Sequence, residues 1–372
     1  MSKSGPFRAD HVGSLLRPAA LLEARAKHNG GELDANALTA LEDAAIRRVV
    51  ERQEEVGLHG VTDGEFRRES WVLDFISHLG GVNIVQAPAP PAAPGEKPGA
   101  IRKYAKVAGR VHFAGHPMIE HFRFLKSVTR QTAKLTIPAP TMLVSASRDW
   151  RGMVEAQAYT DVEALLEDLG EAYKAFVRAA YDAGCRYLQL DDVNMSYLCD
   201  ADMREKIKAR GDDPEALLAG WIKTLNSVLA SRPADMTMTT HVCRGNFRSA
   251  WFASGGYEPI ADAIFNQLDY DGYFLEYDSE RAGGFEPLRF LPKGKKRVVL
   301  GLMTTKTGEL EPRDLIKTRV EAASKFADAS QLCLSPQCGF ASHEDGNLLS
   351  DEAQWTKLRQ VVELAKEIWP DA

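Results

Sequence analysis

The sequence predicts an α/β fold, a (β/α)8 TIM barrel in which eight parallel strands alternate with helices. Eight short apolar runs rich in β-branched and aromatic residues are spaced along the 372 residues. Most of them are apolar on both faces, as buried parallel strands are. Amphipathic stretches of helical period lie between most of these runs. The alternative, a doubly wound open sheet, lacks support because no glycine-rich dinucleotide fingerprint follows the first run.

The predicted elements follow one another along a single domain, residues 1–372. The strands are expected at residues 7–14, 60–66, 133–140, 186–192, 236–243, 272–278, 297–303 and 331–336. Helical patterns occupy residues 35–57, 161–184, 214–232, 257–268, 311–327 and 351–369. Pro312, near the start of the fifth of these helices, is suited to a first helical turn.

One stretch interrupts the alternation between the second and third predicted strands. Residues 80–103 are rich in proline, alanine and glycine, which predicts an exposed excursion and not a domain linker. A hairpin through residues 107–113 is expected to follow it. We therefore interpret residues 80–128 as an insertion within the barrel domain.

Charge and composition exclude several classes of protein. The net charge of −6 and the pI near 5.9 argue against a nucleic-acid surface, which would be basic. No apolar run is long enough to span a membrane, and the first residues contain no signal-peptide core, so we expect a cytoplasmic protein. Five cysteines, an odd number, do not suggest a disulfide framework. Small molecules are the expected partners, and homo-oligomerisation is left open.

Four metal-binding side chains stand at or after the ends of predicted strands, and they are His241, Cys243, Glu276 and Cys338. A barrel gathers such ends at one mouth. Two thiolates, an imidazole and a carboxylate suit tetrahedral zinc, and soft sulfur favours zinc over magnesium or calcium. With Zn2+ this set carries a charge of about −1, so the metal would suit a thiolate that stays nucleophilic. The alternative is that Cys338 is a buried filler and Glu276 a solvated loop residue.

Glu65 and Asp191 form a second group at the same predicted mouth. Carboxylates in such a place need partners, because an unpaired buried charge is costly. A bound ammonium group would serve. Salt bridges to Arg67, Arg68 or Arg244 would serve equally well, and the residues alone leave both interpretations open.

These residues lie in motifs that resemble the cobalamin-independent methionine synthase superfamily, specifically its short single-barrel branch. The motifs are DHVGSLLRP, VTDGEFRRESW, LQLDD, THVCRGNF, FLEYDSERAG, VLGLMTTKTGELE and LSPQCGF. They extend from residue 10 to about residue 342, which is nearly the whole chain. The combination is much more specific than any one motif.

The resemblance implies an activity and a role for each residue. The implied zinc ligands are His241, Cys243, Glu276 and Cys338. Glu65 and Asp191 would contact the amino group of homocysteine, and Ser14 would help to hold its carboxylate. The implied reaction moves a methyl group to the homocysteine thiol and gives methionine.

Two differences from the full-length family enzymes leave the methyl donor open. Those enzymes have an additional N-terminal barrel that helps to bind the polyglutamate tail of methyltetrahydrofolate, and we expect it to be absent here. They also have a histidine after strand seven that is associated with protonating the leaving group. This sequence has Lys306 at or near that place, and His343 is a second candidate for the role.

Two other functions remain as alternatives. One is another zinc-dependent thiol alkyltransferase, such as an epoxyalkane:coenzyme M transferase, although Glu65 and Asp191 suit an amino acid better than a sulfonate. The other is a noncatalytic zinc-binding barrel, since structural zinc sites are usually closed by four protein ligands.

Overall fold

The computed structural model describes residues 5–88, 101–245, 249, 252–343 and 346–372. Seven strands form one parallel sheet in the order β1-β4-β5-β6-β7-β8-β9, and β2 and β3 form a separate antiparallel pair. The strands are β1 (Gly60–Val61), β2 (Gly80–Pro88), β3 (Ile101–His112), β4 (Thr132–Pro138), β5 (Tyr187–Asp192), β6 (Thr237–Val242), β7 (Gly272–Glu276), β8 (Arg297–Met303) and β9 (Leu332–Pro336). The predicted α/β class with a parallel sheet is confirmed.

The first predicted strand, residues 7–14, is extended chain with a single isolated bridge. Ala9 pairs in parallel with Leu334 of β9. At the opposite edge of the sheet, Thr62 Oγ1 donates a hydrogen bond of 2.7 Å to the carbonyl of Gly13. The segment therefore contacts both edge strands of the seven-stranded sheet. Closure into a full eight-stranded barrel stays a prediction.

Strand β1 is shorter than predicted for a local backbone reason. Gly64 and Glu65 have φ angles of 67° and 61°, in the left-handed region that ends an extended strand. The turn that results directs residues 62–68 back across the mouth of the sheet, where Arg17 donates hydrogen bonds to the carbonyls of Glu65 and Arg68.

The described helices cover the sheet and connect its strands. They are α1 (Ala19–Asn29), α2 (Ala35–Val56), α3 (Leu73–Ile76), α4 (Met118–Val128), α5 (Val162–Asp182), α6 (Asn194–Tyr197), α7 (Ala201–Ala209), α8 (Pro214–Leu229), α9 (Arg313–Ser324) and α10 (Asp351–Ile368). Asp34, Asp161 and Ser350 cap α2, α5 and α10 by accepting the third backbone N–H of each helix. The helix predicted at 257–268 consists of a 3-10 turn, Glu258–Ile260, and a π turn, Ala263–Gln267. None of the helices within the described ranges is long and apolar enough to cross a bilayer.

The hairpin of β2 and β3 is longer than the sequence predicted. Its pairing runs from Gly80 opposite His112 to Pro88 opposite Ile101. Ala105 and Val107 are buried, so the hairpin packs on the domain along β3. The proline- and alanine-rich residues 89–100 lie outside the described residues, and the interpretation of residues 80–128 as an insertion stays a prediction.

Strands β5, β6 and β7 are buried along their whole length. They are in parallel register, with Asp191 opposite His241 and Val242 opposite Leu275. The polar side chains at their carboxyl ends therefore meet at one end of the sheet, which is where binding sites of such folds form.

Candidate metal centre and substrate cavities

The four predicted metal ligands come together at the carboxyl ends of three strands. His241 is the second-last residue of β6, and Cys243 directly follows that strand. Glu276 is the last residue of β7, and Cys338 follows β9. One ligand atom from each residue lies within 4.8 Å of the others, and all four residues are buried. The two sulfur atoms are 3.8 Å apart, and His241 Nε2 is 4.0 Å from Glu276 Oε1.

The chemistry of these four side chains fits a zinc ion. Within the described part of the chain, neither ring nitrogen of His241 has a hydrogen-bond partner. An unsatisfied buried polar group of this kind costs roughly 1–3 kcal/mol, which coordination to a metal would remove. Contact with Cys243 and burial hold the pKa of the Cys338 thiol well above its usual value. Burial and Cys243 also raise the pKa of Glu276. A bound divalent cation would stabilise the charged forms of these crowded, buried side chains.

Neighbouring side chains fix the orientation of the Glu276 carboxylate. Its Oε2 accepts hydrogen bonds from Arg281 Nη2 at 2.8 Å and from Gln337 Nε2 at 2.9 Å. Its Oε1 accepts one from the backbone N–H of Arg244 at 2.9 Å and faces His241. Tyr257 holds the backbone of the same residue, because its hydroxyl accepts from the Glu276 N–H and donates to the Glu276 carbonyl. Oε1 is therefore the oxygen placed to bind a metal.

The predicted substrate residues share one small cavity with the metal ligands. Its volume is about 20 Å³, and its lining consists of Val12, Ser14, Glu65, Trp71, Asp191, His241, Cys243, Cys338 and Ser342. The carboxylates of Glu65 and Asp191 thus lie on the same cavity as both thiols. This is the arrangement that a ligand with an ammonium group at one end and a sulfur at the other would need.

The carboxylates differ in their partners. Glu65 Oε1 accepts a hydrogen bond of 2.8 Å from Thr136 Oγ1, and its Oε2 is 3.4 Å from Arg68 Nη1. Asp191 accepts one of 2.6 Å from Gln189 Nε2, and no lysine or arginine among the described residues forms an ion pair with it. Burial raises the pKa of Asp191 to about 7, with His241 lowering it and Glu65 raising it further.

Of the salt bridges considered for these carboxylates, one is present. Arg68 approaches Glu65, whereas Arg67 pairs with Glu42 and Asp43 on α2. The three guanidinium nitrogens of Arg244 are buried and form no hydrogen bond to the described residues. The group lies over the ring of Tyr257 at 4.6 Å. In the described part of the chain, neither Arg67 nor Arg244 therefore pairs with Glu65 or Asp191.

Ser14 packs closely on the loop that carries Cys338. Its Oγ accepts a hydrogen bond from the backbone N–H of Ala341 at 3.3 Å, and its carbonyl accepts one from Phe340 at 2.9 Å. A Cβ at Gly339 would come within 2.0 Å of the Ser14 Oγ, so only glycine allows this approach.

A larger cavity of about 330 Å³ adjoins the small one at Trp71, Cys243 and Ser342. Its large side chains are mainly aromatic or sulfur-containing and include Trp71, Tyr104, Met142, Trp150, Met153 and Tyr197. Lys103 and Arg148 contribute positive charge, and no acidic residue of the described chain lines it. The sequence analysis missed this cavity, because Lys103 and Tyr104 lie in the segment 80–128 that was interpreted as an insertion.

The two candidates for a proton donor lie in different places. His343 lines the larger cavity and pairs through its backbone with Ser70. Lys306 lines neither cavity. Its Nζ donates to Gln337 Oε1 at 2.7 Å and lies 3.7 Å from Asp278 Oδ2.

Residues 7–367 match the family model described as cobalamin-independent synthase, catalytic domain. The chain belongs to this family. Its buried set of two cysteines, a histidine and a glutamate lies within the matched residues.

Individual relatives agree with this assignment. YxjH of Bacillus subtilis is 47% identical over 99% of this chain and 96% of its own length. A solved structure from Listeria monocytogenes, a candidate vitamin-B12-independent methionine synthase, is 42% identical and covers 99% of both chains with a TM-score of 0.79. The 5-methyltetrahydropteroyltriglutamate–homocysteine methyltransferase of Bacillus velezensis is 22% identical over 96% of this chain, which spans 42% of that enzyme.

Proposed function

We propose that this protein is a zinc-dependent methyltransferase that moves a methyl group to the thiol of homocysteine and gives methionine. The observation that carries the proposal is the small cavity, which joins His241, Cys243 and Cys338 to Glu65 and Asp191. The family assignment supports it, and so does the name of the Bacillus velezensis relative, which specifies homocysteine as the methyl acceptor.

In the proposed reaction, one group of residues would bind the metal and another would position the substrate. His241, Cys243, Glu276 and Cys338 would hold the zinc, whose positive charge lowers the pKa of a substrate thiol. Glu65 and Asp191 would accept the hydrogen bonds of the substrate ammonium group and so fix the position of the sulfur. The sulfur then forms a bond to the methyl carbon as the bond between that carbon and the donor breaks. The bonding electron pair stays with the donor, which takes up a proton.

The larger cavity would hold the methyl donor, because it shares the proposed metal ligand Cys243 with the small cavity but does not include Glu65 or Asp191. Its volume suits a small organic molecule. Aromatic walls and the two cations Lys103 and Arg148 suit a donor with a flat or apolar body and an anionic group. His343 lines the same cavity and is the residue placed to hold or deliver the proton of the leaving donor.

The lining of the small cavity argues against the coenzyme M alternative. A sulfonate needs cations around it, and the described side chains on this cavity include two carboxylates and no lysine or arginine. An amino acid acceptor therefore fits better. Homo-oligomerisation and a cytoplasmic location stay predictions.

The test is a methyl-transfer assay with the zinc-loaded protein and homocysteine. Methyltetrahydrofolate in mono- and triglutamyl forms, methylcobalamin and S-adenosylmethionine are supplied in turn, and methionine is measured by mass spectrometry. Methionine formation with one of these donors is the expected result. To separate an enzyme from a noncatalytic zinc barrel, the protein is loaded with Co2+ and titrated with homocysteine. An absorption spectrum that does not change would contradict thiol binding at the metal.

A further inference from the structure

We infer that Lys306 is a positioning residue that acts through Gln337 on the metal ligand Glu276, and that it does not protonate the leaving donor. The inference rests on the proposed metal site. It concerns residues around that site to which the sequence analysis gave a different role or no role.

Two hydrogen bonds connect Lys306 to the ligand carboxylate. Lys306 Nζ donates to Gln337 Oε1 at 2.7 Å, and Gln337 Nε2 donates to Glu276 Oε2 at 2.9 Å. Thr305 also donates to the same amide oxygen, from its backbone N–H at 3.3 Å and its hydroxyl at 3.2 Å. The amide oxygen thus faces donors only, so the amide NH2 must point to Glu276. Gln337 is 1% exposed, which excludes water as a substitute partner for most of this network.

A second path from the same lysine reaches the carboxylate through Asp278. Lys306 Nζ lies 3.7 Å from Asp278 Oδ2, and Asp278 Oδ1 lies 3.1 Å from Arg281 Nη2. That same Arg281 nitrogen donates to Glu276 Oε2 at 2.8 Å. Asp278 therefore interacts with the side chains of both Lys306 and Arg281. Their positive charges stabilise Oε2 of Glu276, the oxygen that faces away from His241.

The network also connects three strand ends. Glu276 ends β7, Lys306 follows β8, and Gln337 follows β9 directly before the ligand Cys338. The backbone N–H of Gln337 donates to the carbonyl of Met303 at 2.7 Å. Partners that orient metal ligands in this way typically contribute 10–100-fold to metal affinity. Lys306 therefore contacts residues that orient the proposed metal ligand Glu276, and it lines neither cavity.

The test measures zinc affinity of the metal-free protein by competition with a chromophoric chelator. Lys306→Met is expected to weaken zinc binding about 10-fold, and Gln337→Met to a similar degree. The double variant should lose little more than either single variant, since both changes break one network. Lys325→Met, at the exposed residue that follows α9, is the matched control and should bind zinc as the unmodified protein does.

Lys306→Arg separates the two roles of the lysine. Arginine keeps the positive charge and the donor groups, but it does not give up a proton at any pH used for an assay. Partial recovery of zinc affinity and turnover in this variant, relative to Lys306→Met, supports positioning. If Lys306→Met binds zinc normally but loses turnover and the alkaline limb of the pH profile, the inference is overturned. Zinc binding by the unmodified protein is measured in the same experiment, so a failure of the metal site itself would be seen separately.

Discussion

Replacing Glu65 with glutamine removes one negative charge from the small cavity and leaves its shape nearly unchanged. The side chain is 3% exposed, and Thr136 Oγ1 can still donate to the remaining carbonyl oxygen. A hydrogen bond between a charged pair contributes roughly 1.5–3 kcal/mol. We therefore expect the Kd for homocysteine to rise about 10- to 150-fold at 25 °C, with zinc content unchanged.

The assay is a calorimetric titration of zinc-loaded protein with homocysteine and, separately, with γ-mercaptobutyrate, which lacks the amino group. The unmodified protein and Glu65→Gln should bind the second thiol with similar affinity, because that thiol has no ammonium group for Glu65 to contact. Glu51→Gln, at an exposed position on α2, controls for the loss of one negative charge. A Kd for homocysteine that changes less than threefold in Glu65→Gln would refute the assignment of Glu65 to the ammonium group.

Three further predictions address the metal, the donor and the stability of the fold. Cys338→Ser should lose zinc and activity but keep the secondary structure seen by circular dichroism, whereas Cys185→Ala, a buried cysteine outside the cluster, should keep its zinc. Tyr104→Ala should raise the KM for the methyl donor several-fold without changing the KM for homocysteine, since this side chain lines only the larger cavity. Burial lowers the pKa of His116 to about 4, so the unfolded chain binds its proton first as the pH falls below 6.5. Unfolding in urea should show a loss of stability between neutral pH and pH 5 that is about 2 kcal/mol smaller in His116→Asn than in the unmodified protein, because His11 and His121 share the lowered pKa and still contribute in the variant.

The strand ends of the sheet were predictable from sequence because their signal is local. The apolar runs that became β4 to β9 are buried, and each is bounded by polar residues such as Asp191 and Glu276. Parallel strands bring their carboxyl ends to one side, so residues distant along the chain could be grouped without knowing their distances. The four metal ligands and the two carboxylates come together for this reason.

Other features depend on contacts that no local pattern encodes. The early end of β1 follows from the left-handed backbone at Glu65, a residue type that does not favour that conformation. Gln337 and Arg281 lie within the recognised motifs, yet their contacts with Glu276 come from loops after different strands. The sequence also did not predict that part of the hairpin lines the larger cavity. A high content of proline and alanine indicates that a segment is exposed, but it does not indicate which other residues the segment lies close to.

The wall that Trp71, Cys243 and Ser342 form between the two cavities has an evolutionary consequence. Asp191, His241 and Cys243 of the proposed acceptor side lie at the ends of β5 and β6, whereas the proposed donor side includes residues of a hairpin and of loops, which tolerate sequence change far better. If the proposed roles hold, variation in the hairpin would change which methyl compound a relative consumes while the thiol chemistry is retained. Divergence within such a lineage should be greatest around Lys103 and Tyr104.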